Sequence, residues 1–267
     1  MPDVTTNGIT IHYETRGNGP KKIVFLHGLM LTSHIWDEVM DLLPSEYQCF
    51  ALDARGFGAS SKEADDYSLP TLAKDISCFI KDLGISKTTI VGHSVSGPVA
   101  IFFGANHPDQ VDNVVLVGTF ARECTITGRG GSGDGMKELL RMFENPPAKI
   151  SRELMNDFLR YLVYDMDYMG PRMADSSLGY STNAERGILM QTMLSTVSHD
   201  IETELTRIEH PLLVVHGPAD TLFLKDEAEF MANAVPNGQL TVIDQCGHLP
   251  MLERPHQFVT ALTEFLS

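Results

Sequence analysis

Positive charge is scarce in this 267-residue chain: Lys and Arg total 20 against 35 Asp and Glu, a formal net charge of −15. A surface of that sign repels polyphosphate and anionic lipid, so neither nucleic acid nor a membrane is expected as a partner. Long apolar runs are missing too; none approaches the roughly 20 residues that cross a bilayer. The opening MPDVTTNGITIHYE has no basic stretch leading into an apolar one, so no secretory leader is expected there. Cysteine is sparse and scattered, at Cys49, Cys78, Cys124 and Cys246. No two have metal-pair spacing, and the set makes no disulfide framework. A reduced, cytoplasmic setting is the expectation, with Cys49 a small core residue in its apolar run. No segment repeats at a fixed period.

What is present is an alternation of buried strands and helices. GITIHYETRG alternates apolar and polar residues, like an early antiparallel strand. KKIVFL, YQCFALD, TTIV, NVVLV, PLLVV and GQLTVID are short continuous apolar runs, the pattern of strands covered on both faces. Between them, LPTLAKDISCFIKDLGI sets Leu72, Ile76, Phe79, Ile80 and Leu83 on one helical stripe, with Pro70 in its first turn and Gly84 at its end. KDEAEFMANAV and PHQFVTALTEFL read as two further helices. Such alternation implies an α/β domain with a mostly parallel sheet.

The alternation breaks between Ala121 and about Leu205. That stretch has no strong buried-strand run. It offers helix-like pieces at Gly135–Glu144, Ser151–Tyr164 and Asn183–Ser198, and eight of the 13 methionines. Methionine fills irregular apolar space and adapts to varied shapes. The expectation is a helical cap over an apolar pocket, inserted at 121–205 into a core made of 1–120 and 206–267.

In an open parallel sheet, ligands sit beyond the carboxyl ends of the strands. Those ends carry His27, Gly28 and Leu29; Asp53 and Arg55; Gly92, His93 and Ser94; His216 and Asp220; and Asp244, Cys246 and His248. A serine, a carboxylate and a histidine therefore share one edge, in the order Ser94, Asp220, His248. A serine hydroxyl is a weak nucleophile at neutral pH. It needs a base in reach, and the base needs a carboxylate to orient it. It also needs N–H donors aimed at the developing oxyanion. A sharp strand-to-helix turn can present the serine, provided its neighbours are small. Here Gly92 holds the first glycine position of G-x-S-x-G, two before the serine, and Ser96 stands where the second glycine would be.

HGLMLTSHIW, DARGFGAS, GHSVSG, HGPAD and CGHLPMLERP, in this order and spacing, resemble the α/β-hydrolase superfamily. The resemblance implies an eight-stranded, mostly parallel sheet with helices on both faces and a helical cap. It implies Ser94 as nucleophile, Asp220 as acid and His248 as base, with the backbone N–H groups of Leu29 and Val95 as oxyanion donors. It implies no metal and no organic cofactor. The expected reaction is hydrolysis of a carboxylic ester or lactone of a mainly apolar small molecule through an acyl-enzyme. The serine of GHSVS also resembles a subgroup that includes butenolide-hormone receptors, which implies an alternative: slow turnover and signalling through a protein partner. A C–C bond hydrolase or a cofactor-free perhydrolase would use the same residues. Epoxide hydrolase and dehalogenase resemblances call for aspartate where Ser94 stands.

The remaining residues have plainer readings. Asp244 rivals Asp220 as the acid but sits close in sequence to His248. His27, His93, Asp53 and Arg55 read as loop supports, and Cys246 as packing. GRGGSG (128–133) reads as a cap hinge, because no strand leads directly into it. Tyr161, Tyr164 and Tyr168 recur at helical spacing, as core or as pocket lining.

Overall fold

A computed structural model describes residues 2–62, 65–122, 133–144, 157–174, 186–197 and 199–267. Eight strands form one sheet: β1 (Asp3–Thr6), β2 (Ile9–Gly17), β3 (Lys21–Leu26), β4 (Tyr47–Leu52), β5 (Thr88–His93), β6 (Val111–Val117), β7 (Leu212–His216) and β8 (Gly238–Val242). Their order is β1-β2-β4-β3-β5-β6-β7-β8. β2 runs antiparallel to both β1 and β4, and every other pair is parallel. Leu26 pairs with Gly92, and His93 and Val215 both pair with Val117. The parallel strands therefore end level, and the loops that follow them gather on one edge.

The inner strands read as unbroken apolar runs because both faces are covered. Alternate residues serve opposite faces. Phe25, Ala51, Val91, Val115 and Val215 pack with Trp36 and Phe258; Val24, Leu52, Ile90, Leu116 and Val214 pack with Phe79, Ile80 and Phe103. The covering helices are α1 (Asp37–Leu42), α2 (Leu69–Asp82) and α3 (Ser96–Asn106), with others later in the chain. α2 buries Leu72, Ile76, Phe79 and Ile80, the stripe read from sequence, and has Pro70 in its first turn. Cys49 is buried in the core, and burial pushes its thiol up to about 12.

Two strands differ from expectation. β8 is an edge strand with its residues only half-buried, so its apolar run does not mark a strand covered on both faces. β1 is short and largely exposed at the other edge, with too little apolar pattern to be read.

Between β6 and β7 lie α4 (Asp134–Glu144), α5 (Met166–Ala174), α6 (Arg186–Val197) and α7 (Ile201–Thr206). α5 is not among the helical pieces read from sequence, and Pro171, a residue that disfavours helix interiors, sits inside it. Of the piece expected at Ser151–Tyr164, residues 151–156 lie outside the described ones and 157–159 are helical. GRGGSG also lies outside them, save Gly133. After β7 follow α8 (Lys225–Ala234), α9 (Pro250–Glu253) and α10 (Pro255–Phe265). Among the described residues no helix is long and apolar enough to cross a membrane.

A buried ion pair braces the sheet edge. The Arg55 guanidinium grips Asp75 of α2 through two hydrogen bonds of 2.6 Å, and a third runs to the Asp66 carbonyl at 2.8 Å. Sequence placed Arg55 among the loop supports; the structure supplies its partner. Removing one member leaves the other charge buried and unpaired. Arg55→Met should therefore cost about 3–5 kcal/mol of unfolding free energy in urea titrations. Arg55→Met combined with Asp75→Leu should regain most of it. A single-variant loss below about 1 kcal/mol would contradict a buried pair.

Candidate active site

Ser94 sits on a sharp turn between β5 and α3. Its backbone φ is 54°, a left-handed value that non-glycine residues rarely adopt. Three bonds hold it there. The Ser94 N–H donates to the Val117 carbonyl at 3.0 Å, and the Ser94 carbonyl accepts from the Gly97 N–H at 2.9 Å and the Thr119 hydroxyl at 2.5 Å. A side chain at Gly92 would collide with the Ser96 carbonyl, and one at Gly97 with Thr119. Gly92 and Gly97 stay without side chains because α3 packs too close to β5 and to Thr119 beyond β6.

Asp220, in the loop after β7, accepts from the backbone N–H groups of Leu222 at 2.8 Å and Phe223 at 3.2 Å through Oδ1. Its Oδ2 accepts from His248 Nδ1 at 2.8 Å. Both side chains are buried. Asp244 is exposed, and Asp220 is the carboxylate that meets His248. Gly118 and Thr119, rather than a carboxylate, directly follow β6, and Gly118 turns at φ 46° beside His248 and Asp220.

Ser94 and His248 line one cavity together with Leu29 and Val95. About 40 Å3 of it is open to the centres of water-sized atoms. Among the described residues no hydrogen bond joins the Ser94 hydroxyl to His248. Unliganded sites often hold such pairs apart until substrate arrives. Likewise, no carbonyl among the described residues takes the Leu29 or Val95 N–H. Met30, next to Leu29, turns left-handed at φ 62°, a constraint that sequence reasoning missed. The apolar wall includes Met136, Leu139, Met173 and Met193 from the β6–β7 segment, the methionine-rich lining read from sequence. Tyr161, Tyr164 and Tyr168 are neither core nor lining: their rings are exposed.

The supporting residues are specific. His27 donates from Nδ1 to the Gly28 carbonyl at 2.7 Å and accepts the Ala54 N–H on Nε2 at 3.0 Å. Asp53 accepts from the Ser33 and Ala59 N–H groups, at 2.8 and 2.7 Å. His93 donates from Nε2 to the His248 carbonyl at 3.0 Å. The Ser96 hydroxyl donates to the His27 carbonyl at 2.5 Å, tying α3 to the loop that carries Leu29. Glu253, which sequence reasoning missed, is buried in α9. Its carboxylate accepts from the N–H groups of Gly247 at 2.9 Å and Leu249 at 3.3 Å, on either side of His248, and from Tyr164 at 2.7 Å. Burial pushes its carboxyl above the ordinary range, although those N–H groups pull it down. Cys246 packs beside Glu253. The Cys246 thiol is pushed far up by burial, which makes it inert. Among the described residues no cluster of His, Cys, Asp or Glu is arranged to hold a metal.

A buried imidazole oriented by a carboxylate, beside a serine on a strained turn and two free N–H groups, can pass a proton and hold an oxyanion. The chain belongs to the α/β-hydrolase fold family, whose sequence pattern matches residues 21–255. It is 29% identical over 254 residues to a pimeloyl-[acyl-carrier protein] methyl ester esterase of Nitrosomonas europaea, covering 94% of this chain and 97% of that one. It is 25% identical over 271 residues to a monoacylglycerol lipase of Xenopus laevis, covering 96% and 78%. The enol-lactonase structure from Burkholderia xenovorans LB400 superposes with a TM-score of 0.84 at 19% identity, covering 99% of both chains. These relationships support hydrolase activity.

His27 and His93 are both held below the ordinary imidazole value, chiefly by burial; the neighbouring His248 pushes His93 down further. Folded, both hold a proton less readily than a free imidazole; unfolded, they titrate near 6.5. Below pH 6.5 the unfolded chain binds the extra protons, so stability falls as pH falls. Between pH 6.5 and 5 the wild type should lose up to about 1.4 kcal/mol per pH unit more than His93→Gln. Parallel stability–pH profiles from urea titration would contradict a neutral buried His93.

Proposed function

We propose that the protein is a serine hydrolase acting on a carboxylic ester or lactone of a mainly apolar small molecule. The supporting observation is the juxtaposition of Ser94, on its left-handed turn, with the hydrogen-bonded His248–Asp220 pair around one apolar cavity. Ser94 Oγ attacks the carbonyl carbon while His248 Nε2 takes its proton. Asp220 holds the imidazole by Nδ1 and stabilises its charged form. The Leu29 and Val95 N–H groups receive the oxyanion. His248 then protonates the leaving oxygen, the acyl group stays on Ser94, and water activated by His248 releases it. Residues 121–205 act as a cap that closes the apolar side of the cavity and excludes water from the reaction.

Ser94→Ala should abolish turnover of an aryl ester, a fall of at least about 1,000-fold in kcat, with the thermal unfolding midpoint retained. Unchanged turnover in that variant would sink the assignment. Ser96 acts through the loop that carries Leu29. Ser96→Ala should lower kcat about tenfold while KM moves little, because the lost bond positions an oxyanion donor. A change in KM alone would show that Ser96 shapes substrate binding instead.

A further inference from the structure

A carboxylate inside a core is costly unless its oxygens find donors. Glu253 is 2% exposed, and the guanidinium of neighbouring Arg254 donates to its main-chain carbonyl at 2.7 Å rather than to its carboxylate. Backbone N–H groups from two separate segments answer the carboxylate instead. Oε1 accepts from Gly247 and Leu249, which bracket His248. Oε2 accepts from Tyr164, 89 residues away in the β6–β7 segment. We propose that Glu253 is a positioning residue for His248: its carboxylate latches the loop of the base to the turn at 161–164, and the rate of the chemical steps depends on that latch. This rests on the hydrolase reading above.

The latch closes around the peptide groups that carry the imidazole. The His248 N–H donates to the Leu162 carbonyl at 2.5 Å, and the His248 carbonyl accepts from His93 Nε2 at 3.0 Å. Glu253 takes the next N–H group on either side. The turn is thus held twice, at Leu162 by His248 and at Tyr164 by Glu253. A side chain at Gly247 would run into the Leu162 carbonyl and the Val163 backbone, so the two segments touch directly there. The imidazole on this backbone binds Asp220 through Nδ1 and lines the cavity with Ser94. A shift of the loop carries Nε2 with it, and a misplacement of about 1 Å at a reacting group can cost about 100-fold in rate.

The residue type fits the task. A carboxylate accepts on both oxygens, whereas an amide accepts on one and donates from the other end. Glutamine at 253 could keep the loop of the base or the turn at 161–164, and its NH2 group would face an N–H on the other side. Glu253→Gln therefore severs the latch whichever way its amide turns, at almost unchanged volume.

Glu253→Gln should lower kcat for an aryl ester about ten- to 100-fold with KM within about twofold, because His248 serves acylation and deacylation alike and both slow together. The comparison is made well below the unfolding midpoint, where a merely structural role would leave kcat alone. Hydrogen–deuterium exchange reads the latch without turnover. The amides of Tyr164, Gly247 and Leu249 should be protected in the wild type, and those of at least one segment should exchange about tenfold faster in the variant. If Glu253→Gln does not fold, Gly247→Ala, which pushes the turn off the loop and leaves the carboxylate in place, should show the same fall in kcat. Wild-type amides that exchange as fast as an open loop, an unchanged kcat or a rise in KM alone would overturn the proposal, while turnover dependent on Ser94 leaves the hydrolase reading intact. The exchange contrast together with turnover that survives Ser94→Ala would keep the latch and sink the hydrolase reading.

Discussion

The backbone of Ser94 is the constraint on which the rest of the site depends. A non-glycine residue at φ 54° carries strain of about 1–3 kcal/mol and persists only where its surroundings over-determine it. Here the Val117 carbonyl, the Gly97 N–H and the Thr119 hydroxyl fix the turn from three directions. Val117 and Thr119 flank the end of β6, so the strain is balanced by the sheet itself. The same turn frees the Val95 N–H and begins α3, whose Ser96 hydroxyl reaches the His27 carbonyl. One strained residue thus sets the positions of the candidate nucleophile and of both candidate oxyanion donors.

The second half of the site is tied to the β6–β7 segment. The His248 N–H donates to the Leu162 carbonyl at 2.5 Å, the Thr221 hydroxyl to the Tyr161 carbonyl at 2.5 Å, and the Tyr164 N–H to Glu253. Phe158, Leu159 and Leu162 on that turn line the cavity. The side chains that line the cavity and the backbone that holds the Asp220 and His248 loops therefore belong to one turn. The cavity wall and the support of the candidate base share the same few residues, while the rings of Tyr161 and Tyr164 are exposed.

Much of this was legible in the sequence. The inner strands announce themselves because burial on both faces demands unbroken apolar runs, and parallel strands that end level bring Ser94, Asp220 and His248 to one edge. α2 was legible because one face is buried and the other is not. The misses have physical causes. β1 is an edge strand, where burial no longer dictates the pattern, and β8, which was read as a strand, is the other edge and only half-buried. α5 tolerates Pro171 because tertiary packing of Met169 and Met173 outweighs local propensity. The bonds from Ser96 to His27 and from Tyr164 to Glu253 join residues far apart in sequence, and no spacing rule encodes them. Ser96 departs from the glycine of the usual elbow, and its hydroxyl braces the loop that carries Leu29.

The central claim is that Ser94 is the activated nucleophile of this site. Reaction with a fluorophosphonate, followed by intact-mass measurement and peptide mapping, tests it directly. A single adduct on Ser94, lost in His248→Ala, is the expected result; an adduct on another residue, or labelling of Ser94 indifferent to His248→Ala, would contradict it.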